Sequence, residues 1–222
     1  LLEPLVAMAE PGSVALFDVD STIMDTAPRN YRILEDAVEA VPRLRGVVDT
    51  VGPGDLGWSI FAPLEGKIEL SRSESETLYR FWKERFFSDE YLKFDTPYPG
   101  VAELLRWLRD REIVLVYLTG RDQPNMSAGT RASFLHHRLP AGEGSRFIFK
   151  PTQEEPDFEF KRHACRRLAA EESVILAVEN EPANANLMAA CFPDALVALI
   201  DTVTAPNPAE PSSEVLSFSS YR

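Results

Sequence analysis

The 222-residue chain has little cysteine, no surplus of positive charge and no long apolar run. Its two cysteines, Cys165 and Cys191, have neither CxxC spacing nor the context of a metal site, so reduced thiols on helices are expected rather than a disulfide or a catalytic thiol. Asp and Glu outnumber Lys and Arg by 35 to 23, a formal net charge of −12. That balance argues against nucleic acid as a partner, because binding its backbone needs a positive surface. No apolar stretch approaches the length of a membrane span, and residues 1–10 lack the basic start and long apolar core of a signal peptide. A chain with no membrane association and a cytoplasmic location is therefore expected. It carries no internal repeat. What it does have is 45% hydrophobic residues, enough for one α/β domain with a modest insertion.

Residues 14–22 read VALFDVDST, a short apolar strand ending in Asp18 and Asp20. A pleat aims two residues so spaced to the same side. Carboxylates at the end of a buried strand need a counter-charge or a metal, since desolvating an ion costs several kcal/mol. A second apolar strand, Ile113 to Leu118, runs into Thr119, Gly120 and Arg121, and a third, Ser173 to Val178, runs into Glu179, Asn180 and Glu181. Lys150 and Lys161 lie between them. If these strands are parallel, their carboxyl ends share one edge, where open α/β sheets bind ligands. The set then describes a phosphoryl-transfer site. It supplies a carboxylate nucleophile, a second carboxylate for proton transfer, a hydroxyl and an ammonium for phosphoryl oxygens, and an acid for magnesium.

The ordered series FDVDST, LTGR, Lys161 and VENE resembles the four motifs of the haloacid dehalogenase superfamily of hydrolases, from about Val14 to Asp201. An aspartate two positions after the nucleophile marks the phosphatase and phosphotransferase branches of that family. The resemblance implies a Rossmann-like, doubly wound, mainly parallel sheet and a magnesium-dependent phosphomonoester hydrolase working through an aspartyl phosphate on a small-molecule phosphate ester. On this reading Asp18 is nucleophile and metal ligand, and Asp20 is the acid and base, grouped with the metal set. Thr119 and Gly120 bind phosphoryl oxygens, with Arg121 a further substrate contact. Lys161 is preferred to Lys150 as the motif lysine, because its separation from Glu179 fits the resembling branches. Glu179 stands where the common pattern has Asp and is the preferred third magnesium ligand, with Glu181 as rival.

Between the first strand and Tyr98, residues 25–96 read as mainly helical. Helical spacing runs over Ala27–Val41, a Gly- and Pro-rich stretch follows at 51–63, and Ser71 with Glu74 forms a capping box before a helix at 76–87. This is too long for an ordinary crossover, and the resemblance implies a small helical cap over the site, with 1–24 and 97–222 as the core. Trp82, Phe86 and Phe87 read as the cap's own core, while Asp55 and Trp58, in its glycine-rich loop, are placed for substrate contacts. Beyond Tyr98, helices are expected over 128–139 and from about 158 to 170, the latter opened by Asp157 as its cap, and 206–211 reads as a Pro-rich turn or tail; the adjacent His136 and His137 read as structural. Two other readings stay open: a phosphotransferase or phosphomutase with the same residues, and a catalytically retired domain that binds a phosphorylated ligand or a protein.

Overall fold

The computed structural model describes residues 9–221; most of the segment read for a leader lies outside them. In chain order come β1 (Val14–Phe17), β2 (Met24–Asp25), α1 (Ala27–Asp36), α2 (Arg45–Val48), α3 (Arg72–Phe86) and β3 (Thr96–Pro97). There follow α4 (Val101–Arg109), β4 (Val114–Asp122), α5 (Gln123–His136), β5 (Ser145–Lys150), α6 (Asp157–Glu171), β6 (Val174–Glu179), α7 (Pro182–Cys191), β7 (Leu196–Ile200) and β8 (Val215–Phe218).

Six strands form one sheet in the order β5-β4-β1-β6-β7-β8, and every neighbouring pair is parallel. The four residues of β1 are fully buried, as a strand covered on both faces must be. Val14 and Leu16 pack with Phe160, Leu168 and Met188 of α6 and α7. Ala15 and Phe17 pack with Leu105, Leu108 and Phe134 of α4 and α5 on the other face. This is a doubly wound α/β fold, with its strand order reversing around β1. The crevice at such a reversal, outside the strands' carboxyl ends, is where a ligand is expected.

Residues 25–96 leave the sheet through an antiparallel pairing of β2 with β3, Met24 opposite Pro97 and Asp25 opposite Thr96. They fold around a separate apolar cluster that includes Leu34, Leu44, Ile60, Leu64 and Leu78. The predicted capping box forms, with Glu74 N donating to Ser71 Oγ at 3.3 Å and Ser71 N donating to Glu74 Oε2 at 2.8 Å. The helix expected over 27–41 ends at Asp36 and continues as 3₁₀ turns at Ala37–Glu39 and Pro42–Leu44, because Pro42 has no N–H with which to extend a helix.

Three other expectations need correction. The helix placed at 128–139 begins at Gln123, since Asp122 caps it by accepting from Asn125 N at 3.3 Å and Pro124 suits its first turn. Asp157, expected as the cap of α6, is its first helical residue behind Pro156. The tail expected beyond Pro206 contains β8, a half-exposed edge strand paired with β7.

Candidate active site

The carboxyl ends of β1, β4 and β6 open into a cavity of about 220 Å³ lined by Asp18, Asp20, Gly120, Arg121, Lys161 and Glu181, and roofed from residues 25–96 by Asn30, Trp58, Trp82, Phe86 and Phe87. Asp18 follows β1 directly and is 4% exposed. Lys161, in the second turn of α6, donates from Nζ to Asp18 Oδ1 at 2.7 Å and also to Glu179 Oε1. Lys150 instead pairs with Asp157 and Gln153 O, so of the two lysines only Lys161 reaches Asp18. Burial would lower the Lys161 ammonium, but Asp18 and Glu179 outweigh it and hold the group charged. Burial raises Asp18 to about 7, against the pull of Lys161 and with a further push from Glu179 and Asp20.

Glu179 ends β6 fully buried, and both of its oxygens are used. Oε1 accepts from Lys161 and from Asn184 Nδ2 at 2.8 Å, while Oε2 accepts from the backbone N–H groups of Asn180 at 2.6 Å and Glu181 at 2.9 Å. The extra methylene relative to Asp lets this carboxylate fold back over the strand end as an anchor for Lys161. Glu181 lines the cavity, accepts from Ala205 N at 2.7 Å, and is raised by burial.

Asp20 belongs to a buried charge network. Arg121 donates to its two oxygens from Nη2 at 2.6 Å and from Nε at 3.2 and 3.3 Å, and Arg29 donates to Oδ1 from Nη2 at 2.8 Å. Asp95 closes the network, accepting from Arg121 Nη2 at 2.6 Å and standing 2.9 Å from Arg29 Nε; that second contact is an ion pair without hydrogen-bond alignment. Burial alone would raise Asp20, but Arg121 and then Arg29 outweigh it and hold the carboxyl well below its usual range. Burial wins at Asp95, raising it to about 6 despite the same two guanidiniums.

Arg121 therefore stands differently from the substrate contact expected of it. Its Nη1 is also taken, by Thr130 Oγ1 at 3.0 Å, so the guanidinium is spent on Asp20, Asp95 and α5. Thr119 is fully buried behind the lining, its Oγ1 accepting from Arg121 N at 3.1 Å, while Gly120 faces the cavity. Trp82, Phe86 and Phe87, read as core, line the cavity, as does Trp58; Asp55 instead accepts from Gly52 N. His137 reaches Asp95 O at 2.9 Å, a structural contact. Arg29 and Asp95 were not singled out from sequence, though Arg29, four residues before Ile33 on the same helix face and close to the first motif, was a usable signal.

The metal set expected from sequence is not assembled as three side chains. Asp20 is held by two arginines and Glu179 by four donors, and among the described residues no three His, Cys, Asp or Glu side chains are grouped to hold a metal ion. The remaining donors nonetheless suit a hard cation. Asp18 lines the cavity with one oxygen free of partners among the described residues. Glu181 adds a second carboxylate, and among the described residues Lys161 is the one cation paired with Asp18 and Glu179. Magnesium takes one or two carboxylates and keeps several waters, which fits this all-oxygen, anionic edge. Neither thiol is among the residues lining the cavity, and burial raises both, Cys165 to about 12.

The doubly wound sheet carries a lysine-anchored aspartate at its switch point. A family model for haloacid dehalogenase-like hydrolases matches residues 13–191, and the chain belongs to that family. No curated protein matches it. Similar solved structures include CbbY from Rhodobacter sphaeroides in complex with phosphate, at 19% identity and TM-score 0.54 over 94% of each chain. A protein described as a predicted phosphoglycolate phosphatase from Haemophilus somnus is similar at 13% identity and TM-score 0.56 over 96% of each chain. A Had-superfamily hydrolase from Ehrlichia chaffeensis is similar at 13% identity and TM-score 0.54, over 96% of this chain and 94% of that one. These likenesses establish the fold. Among the described residues no helix is long and apolar enough to cross a membrane.

Proposed function

We propose that the protein hydrolyses phosphate monoesters, with Asp18 as the nucleophile. The observation that carries this reading is the placement of Asp18: buried at the end of β1, fixed through Oδ1 by Lys161, and lining the cavity with its other oxygen unclaimed among the described residues. A carboxylate so held needs no base to activate it and can attack phosphorus in line, forming an acyl phosphate as the bond to the leaving alkoxide breaks. The Lys161 ammonium and the Gly120 amide are placed to neutralise phosphoryl oxygens. Water then cleaves the acyl phosphate and returns Asp18 as a carboxylate.

Asp20 is held ionised between Arg29 and Arg121, the form that takes a proton from the attacking water. Donating a proton to the leaving group requires it first to leave at least one guanidinium and to take up a proton from solvent. Magnesium, held by Asp18 and Glu181 with water, would lower the repulsion between nucleophile and phosphate. Residues 25–96 act as a cap that roofs the site and chooses the alcohol portion of the ester.

The purified protein should hydrolyse 4-nitrophenyl phosphate with magnesium and stop in chelator. Asp18→Asn should lose at least about 10³-fold in kcat while keeping its circular dichroism spectrum. A folded Asp18→Asn protein with wild-type turnover sinks the proposal. Asp20→Asn should impair an ester with an alkoxide leaving group more than the nitrophenyl ester, because only the former needs a proton donor.

A further inference from the structure

The roof of the cavity differs chemically from its floor. All charged lining residues come from the sheet edge and its connections, whereas the roof contributes aromatic rings and uncharged polar groups. Trp82 and Phe86 lie one turn apart on α3, their ring centroids separated by 5.0 Å, and Phe87 stands edge-on to Phe86 at 5.1 Å. Arg29 fixes this wall, its guanidinium 4.0 Å from the Phe86 ring centroid and its Nη1 donating to Phe86 O at 3.0 Å. The Trp82 indole N–H is used on Asn30 Oδ1 at 2.8 Å, so the wall offers a ligand ring faces and edges. Asn30 is 2% exposed and lines the cavity, and its Nδ2 has no partner among the described residues, leaving one donor toward whatever fills the space.

The floor holds charge enough for one phosphoryl group. Each nitrogen of the Arg121 guanidinium donates to Asp20, Asp95 or Thr130, and Lys161 bridges Asp18 and Glu179. A second anionic group on the substrate would stand near Glu181 and would find, among the described lining residues, no lysine or arginine that is not already paired with a carboxylate.

Resting on the phosphomonoesterase reading, we infer that the preferred substrates are monophosphates whose alcohol portion carries a single uncharged aromatic ring. That ring lies against the Trp82–Phe86 wall under Trp58. Stacking between rings adds to the gain from apolar burial, while a polyol would lose its water against a wall with one free donor.

The test compares benzyl phosphate, glycerol 3-phosphate and 2-phosphoglycolate, all with alkoxide leaving groups, in the wild type with magnesium. Benzyl phosphate should exceed the other two at least about tenfold in kcat/KM. Trp58 is 54% exposed, so Trp58→Ala should fold; it should reduce the benzyl-to-glycerol ratio of kcat/KM by about fivefold, chiefly through KM for the benzyl ester. Hydrolysis with equal or reversed preference, or an unchanged ratio in Trp58→Ala, overturns this inference and leaves the phosphatase reading standing. Failure to hydrolyse any ester overturns both.

Discussion

Arg29 is the residue on which the most structure converges. Its side chain is fully buried and touches Asp20, Asp95 and both the ring and carbonyl of Phe86. Removing one partner of a buried ion network leaves uncompensated charge, at a cost of roughly 3–5 kcal/mol. Arg29→Ala should therefore lower stability by about that amount in urea unfolding, and a loss under about 1 kcal/mol would mean that the network is solvated. Asp18 carries the opposite kind of strain. Burial raises it from 3.8 to about 7, so the folded protein holds that proton more tightly than the unfolded chain. The stability this supplies is complete below about pH 4 and lost as pH rises through about 7. Asp18→Asn has no such ionisation. In chelator its Tm should gain on that of the wild type by roughly 5–10 °C as pH rises from about 5 to about 8; a relative gain toward low pH would contradict the assignment.

At the scale of elements, two close approaches position the site, and glycine permits both. A Cβ on Gly120 would stand 2.7 Å from Asp157 Oδ2, the end of an exposed side chain, whereas one on Gly129 would stand 2.4 Å from the Asp89 carbonyl oxygen and 2.7 Å from its Cα. A side chain can swing away more cheaply than backbone. Gly129→Ala should therefore cost about 1–3 kcal/mol by forcing α5 from the 89–90 turn, and Gly120→Ala under about 1 kcal/mol; thermal melts that rank them the other way would contradict this. The same scale explains what the sequence made legible. Apolar strands followed by Asp18, Thr119 and Glu179 identified the sheet edge, because buried parallel strands are continuous apolar runs and ligands gather at their carboxyl ends. β8 was not legible, being four residues long with its two central ones exposed. Trp82 and Phe86 read as core because helical spacing shows that a face is covered, but not whether protein or an open cavity faces it. Arg29, Asp95 and Arg121 lie far apart in the chain, and no local pattern announces their pairing.

At the scale of the whole molecule, a net charge of −12 opposes the approach of a phosphate ester. Salt screens that repulsion over a Debye length of about 10 Å at 0.1 M. At fixed saturating magnesium, kcat/KM should therefore rise about twofold between roughly 0.02 and 0.2 M ionic strength, and a steep fall would mean that the site draws its substrate with a locally positive field. The central claim, that the fold exists to present Asp18 as a nucleophile, has a more direct test. Rapid acid quench during turnover of a phosphate ester, followed by proteolysis and mass analysis, should find one phosphoryl group on the peptide that contains Asp18. No such group should appear in Asp18→Asn. A phosphoryl group on any other residue, or none during steady turnover, would contradict the account.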